Sequence, residues 1–65
     1  FGQNLKSLRE QCGISQQELA DKIGTTQPRV SEWENDKVEP TLYYIIRIVD
    51  TLRVSFEDLT EDVTA

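Results

Sequence analysis

The chain is 65 residues long and 37% apolar, with seven Lys/Arg against twelve Asp/Glu for a net charge of −5. This allows one small domain near the lower size limit for a self-sufficient core, so nearly every Leu, Ile and Val is needed inside. It excludes a membrane-spanning helix, since no apolar run approaches ~18 residues, and an internal disulfide, since Cys12 has no second cysteine to pair with.

A lone cysteine and the lack of a secretory pattern fit a cytoplasmic protein. The first residue is Phe, not Met, which suggests an excised or incomplete chain with room for an effector or oligomerisation domain outside it. The acidity is uneven. Residues 1–37 carry five Lys/Arg against six Asp/Glu, and residues 38–65 carry two against six.

Phe1 to Gln11 reads as a first helix, with Phe1, Leu5, Leu8 and Cys12 on one apolar stripe. Gly13 ends it, because glycine reaches the left-handed conformation without penalty. Cys12 is read as a small, partly buried hydrophobe. The second helix runs from Ser15 to about Ile23. Ser15 and Glu18 have the spacing of a capping box, and Ile14 and Leu19 that of a hydrophobic staple. Leu19, Ala20 and Ile23 form its inward stripe, and Gly24 permits a tight turn.

The third helix starts near Thr26 or Gln27 and ends near Asn35. Pro28 falls in its first turn, where a missing N–H costs nothing. Val30 and Trp33 point inward, with Glu34 on the edge of that face. Pro28, Ser31, Glu32 and Asn35 point away, Gln27 lies at the exposed tip and Arg29 on one flank. Trp33 is read as core filler, with an aromatic stacking role the minor alternative. After a loop over residues 35–40, Thr41 caps a fourth helix, Leu42 to Leu52. Leu42, Ile45, Ile48, Val49 and Leu52 share its inner face. Ser55 and Asp58 frame a last short helix, Phe56 to Leu59. The whole is expected to be all-α, a compact bundle of five short helices forming one domain over residues 1–61, with 62–65 a frayed tail.

Several chemistries lack their residues. There is no histidine and one cysteine, so neither a metal site nor a histidine-activated nucleophile is expected. The three glycines stand at helix boundaries and not in a phosphate loop. No catalytic residue and no cofactor is assigned, and an enzyme is not expected.

The stretch L-R-E-Q-C-G-I-S-Q-Q-E-L-A-D-K-I-G-T-T-Q-P-R-V-S-E-W-E-N, then P-T-L-Y-Y-I-I-R-I-V-D-T-L-R-V-S-F-E-D-L, resembles the Cro/CI-type (XRE-like) helix-turn-helix family of phage repressors and bacterial regulators. The resemblance covers about residues 3 to 60. It implies a lambda-repressor-like fold, with the third helix in the major groove of DNA and the second crossing the backbone.

Carried over residue by residue, the resemblance implies that Gln27 reads bases, bidentate to adenine, and that Pro28, Ser31, Glu32 and Arg29 lie along the groove. Glu32 can only accept, so cytosine N4 is its natural partner. Gln16, Thr26, Asn35 and Lys37 fall where phosphates are contacted. Tyr43 and Tyr44 either touch phosphate or pack at the start of the fourth helix. Arg9 and Glu34 match a pair that braces the first helix against the end of the third. Asp36 stands where Gly is common, Glu39 adds an acid to a phosphate-facing loop, and Arg53 replaces a common Gly before V-S.

The implied partner is a double-stranded DNA operator with an inverted repeat, bound by a homodimer. Ile46, Phe56, Leu59 and Val63 are candidate dimer contacts, with core packing the safer reading for Phe56 and Leu59. The competing reading is a helix-turn-helix module that binds protein, antitoxin-like or adaptor, in keeping with the acidic second half.

Overall fold

The structure is a computed structural model that describes residues 1–61. Five helices follow in order: α1 (Gly2–Gln11), α2 (Gln16–Ile23), α3 (Gln27–Glu34), α4 (Leu42–Leu52) and α5 (Phe56–Thr60). The expected tail over 62–65, and Val63 with it, lies outside the described residues.

Local chemistry sets the element ends. The Ser15 hydroxyl accepts from the Glu18 N–H at 3.0 Å, and the Glu18 carboxylate accepts from the Ser15 N–H at 3.0 Å. Ser55 and Asp58 repeat this arrangement at α5. Gly24 closes α2 in the left-handed conformation, with φ 81°. Thr26 and Thr41 occupy the N-cap positions of α3 and α4, but neither side chain caps its helix. The expected Thr41 cap is therefore one of backbone geometry only.

The core is Leu5 from α1, Leu19, Ala20 and Ile23 from α2, Val30 and Trp33 from α3, Ile48 and Leu52 from α4, and Leu59 from α5. Each large side chain withdrawn from water contributes about 1.5–3 kcal/mol, and Trp33 is the largest. Ala20 is fully buried on α2, the helix that packs against both α3 and α4. Two helices as short as α2 and α3 cannot bury their inner faces alone, and α1, α4 and α5 form the platform beneath them.

Three expected core positions lie outside it. Leu42 is 67% exposed, because the first turn of α4 overhangs the packed segment centred on Ile48 and Leu52. Phe56 is 55% exposed, since α5 turns Leu59 inward instead. Cys12 is exposed, as the chain has already left the packed face of α1, and its thiol reaches only the Leu52 carbonyl at 3.7 Å. Leu59 is fully buried and is no dimer contact.

Among the described residues two non-glycines adopt positive φ, Asp36 at 57° and Arg53 at 58°. These are the two positions where the chain departs from the family's usual glycine. The backbone keeps the left-handed turn at both.

Candidate nucleic-acid interface

The geometry starts from a buried ion pair. Arg9 in α1 and Glu34 in α3 are both buried. Arg9 Nε donates to Glu34 Oε2 at 2.6 Å and Nη2 to Oε1 at 3.1 Å, a two-pronged contact, while Nη1 donates to the Ile14 carbonyl at 2.8 Å. The hydrogen bond to Glu34 raises the Arg9 pKa above its ordinary value, so the guanidinium stays charged. Among the described residues no buried side-chain polar atom is left without a partner.

The network extends outward. Gln16 Nε2 donates to Glu34 Oε1 at 2.9 Å, and Gln27 Nε2 donates to Gln16 Oε1 at 2.7 Å. Glu34 can only accept, so it fixes which way the Gln16 amide faces. Gln16 then presents its carbonyl to Gln27, which must answer with its NH2. Among the described residues one N–H and the carbonyl of the Gln27 side chain have no further partner. Gln27 is thus half-buried and oriented, not the exposed tip the helical wheel gives.

The other residues singled out by sequence spread along the same edge. Pro28, Arg29 and Glu32 are exposed on α3, and Ser31 is half-buried. Asn35 Nδ2 donates to the Ser31 carbonyl at 2.8 Å. Thr26 and Lys37 are exposed at the two ends of the helix. Arg29, Glu32 and Lys37 have no ion-pair partner within 4.0 Å among the described residues. A groove of about 320 Å³ runs beside α3, lined by Arg29, Glu32 and Trp33 on one side and by Val38, Glu39 and Pro40 on the other.

Tyr44 packs its ring 5.3 Å from that of Trp33, so it belongs to the packing at the start of α4. Tyr43 is exposed and stands edge-on to Tyr44.

Two supporting contacts escaped sequence reasoning. Arg47 in α4 donates from Nε to the Ile23 carbonyl at 3.0 Å and from Nη2 to the Lys22 carbonyl at 3.4 Å. It satisfies the open carbonyls at the end of α2 and ties the turn to the platform. The Gly2 N–H donates to Asp36 Oδ1 at 3.0 Å. A basic residue on the outer face of α4 was the only available signal for the first, and nothing local signals the second.

Residues 5–59 match the family model described as Helix-turn-helix. The chain belongs to the helix-turn-helix family, in its Cro/CI-type form. Over 59 residues it is 39% identical to the uncharacterised HTH-type transcriptional regulator YqaE of Bacillus subtilis (strain 168), covering 91% of this chain and 51% of that one. Over 51 residues it is 39% identical to antitoxin HipB of Escherichia coli (strain K12), covering 78% of this chain and 58% of that one. This helix-turn-helix chain spans little more than half the length of the curated relatives it matches. Its fold superposes on the P22 c2 repressor protein, solved in complex with synthetic operator 9T in the presence of Tl+. The TM-score is 0.84 at 24% identity, over 89% of this chain and 88% of that one.

Proposed function

We propose that the chain is the sequence-specific, double-stranded DNA-binding domain of a cytoplasmic transcriptional regulator of bacterial or phage type, with α3 lying in the major groove. The observation that carries this reading is the oriented amide of Gln27. Its free N–H and carbonyl form the donor–acceptor pair that matches adenine N7 and N6, worth about 1–3 kcal/mol of discrimination. Pro28, Ser31, Glu32 and Arg29 extend the reading edge. Gln16, through its second amide hydrogen, and Thr26, Asn35 and Lys37 meet phosphates. Family membership and the likeness to regulators named HTH-type support it.

The protein acts as a homodimer on an inverted repeat, with the exposed Ile46 and Phe56 as contacts between copies. Selecting duplexes from a random pool tests the whole reading. An enriched inverted repeat supports it, and no enrichment at low salt sinks it.

The likeness to an antitoxin and the acidity of residues 38–61 favour one other reading, a module that binds protein and holds DNA weakly. Affinity for random duplex across salt concentrations separates the two, because phosphate contacts weaken steeply as salt rises.

A further inference from the structure

The two ends of α3 are fixed in different ways. At its C-terminal end Glu34 is buried and held by Arg9 from α1. At its N-terminal end Thr26 has the backbone of an N-cap, but its side chain caps nothing. The bond from Gln27 to Gln16 joins side chain to side chain and leaves the backbone of the turn unattached. The place of the first turn of α3 is therefore inherited from the last turn of α2. The Gly24 and Thr25 N–H groups both donate to the Ala20 carbonyl, at 2.9 Å each. Among the described residues no backbone N–H reaches the carbonyls of Lys22 and Ile23. Arg47 reaches both from α4, through Nη2 at 3.4 Å and Nε at 3.0 Å. Its guanidinium has no carboxylate within 4.0 Å among the described residues and faces the negative end of the α2 dipole instead. The Tyr43 ring, one turn back on α4, flanks it with a centroid distance of 5.7 Å.

We propose that Arg47 is a positioning residue for recognition. It holds the turn over residues 24–26 against α4 and so sets where Thr26 and Gln27 meet the duplex, without a DNA contact of its own. The inference rests on the DNA reading of α3 and adds to it a residue outside the helix-turn-helix. The helix packing gives it leverage: α3 lies on α2 and α1, whereas α4 packs on α2, so α4 acts on the start of α3 through the end of α2. A phosphate contact is the competing role for an exposed arginine. The geometry disfavours it, because Nε and Nη2 are already engaged with α2 backbone and an aromatic ring flanks the group. Lysine is no equivalent here. Its ammonium is a point charge on a flexible stem and lacks the planar fork that spans two successive carbonyls.

The test compares the wild type with Arg47→Ala, Arg47→Lys and Lys37→Ala at several salt concentrations, well below each melting temperature. Three duplexes are used: the operator selected from the random pool, the same operator changed at the base pair that Gln27→Ala ceases to discriminate, and a random duplex. Arg47→Ala should lose roughly tenfold of the preference for the operator over its changed form. Its affinity for random duplex and its salt slope should match the wild type. Arg47→Lys should lose most of the same preference although it keeps the charge. Lys37→Ala should do the reverse, keeping the preference and losing about one unit of slope. A slope reduced in Arg47→Ala and restored in Arg47→Lys would make Arg47 a phosphate contact and overturn the proposal. So would an undiminished preference in both Arg47 variants, or a loss of affinity shared equally by all three duplexes. In each of these cases the DNA reading stands. A wild-type protein that prefers no duplex would instead remove that reading, and the role of Arg47 with it.

Discussion

The Gly2 N–H points into the Asp36 carboxylate at 3.0 Å, so a residue just past the C-cap of α3 caps the first helix, α1. The two are 34 positions apart. Gly2 is also pressed against the end of α3: a Cβ there would lie 2.3 Å from the Glu34 carbonyl oxygen. Asp36 adopts φ 57°, a conformation an aspartate tolerates better than most residues. A position where glycine would relieve the backbone instead holds a carboxylate at a helix N-terminus, where negative charge is favourable.

Gly2→Ala should therefore be costly although the change is one methyl group. Overpacking against backbone typically costs about 1–3 kcal/mol, and in a domain this small each kcal/mol lowers Tm by roughly 4–8 °C. Gln3→Ala, on the exposed side of the same turn, is the control. Equal melting curves would show that α1 can shift away from α3.

Asp36→Ala should destabilise more than Asp36→Gly. Both lose the cap, worth ~1 kcal/mol, but alanine adds a left-handed strain of about 1–2 kcal/mol that glycine avoids. Thermal denaturation of the two variants side by side checks the order.

Arg53→Gly should stabilise the domain by ~1 kcal/mol, because Arg53 ends α4 at φ 58° and its exposed side chain forms no ion pair within 4.0 Å among the described residues. A fall in Tm would mean that Arg53 makes a compensating contact with its charged head.

Glu34→Ala should be the most damaging of these changes. It leaves Arg9 buried without a counter-charge, a loss of about 3–5 kcal/mol in comparable pairs. Glu57→Ala, on exposed α5 surface, should move Tm little. Identical curves for the two would remove the brace from the account.

Gln16→Ala separates reading from folding. Gln16 is half-buried, so stability should fall by only ~1 kcal/mol. Gln27 would lose its oriented amide, and preference at one operator base should drop by ~1 kcal/mol or more. Lys37→Ala should instead weaken all duplexes alike and reduce the salt slope by about one. Binding to base-substituted operators at several salt concentrations measures both.

What could be read from the chain follows from how local its cause is. The Ser15–Glu18 and Ser55–Asp58 capping boxes lie within four residues, and the structure has them as the sequence suggests. Gly24, Val30 and Trp33 follow from turn chemistry and helical period. Leu42 and Phe56 were misplaced because periodicity says which residues share a face, not how far along a helix its neighbours extend. Gln27 looked free because the wheel of α3 cannot show what α2 brings across the turn. The Gly2–Asp36 contact and the Arg47 clamp join distant segments, and no local pattern announces them.

The chain of bonds from Arg9 through Glu34 and Gln16 to Gln27 makes position 27 an unequal choice among side chains. A replacement there must both suit a new base pair and give Gln16 a hydrogen-bond donor, or the buried carboxylate loses part of its ordered surroundings. Changes of target sequence by single substitution should therefore be easiest at Pro28 and Glu32, whose side chains are exposed, and should come at position 27 only in company with position 16.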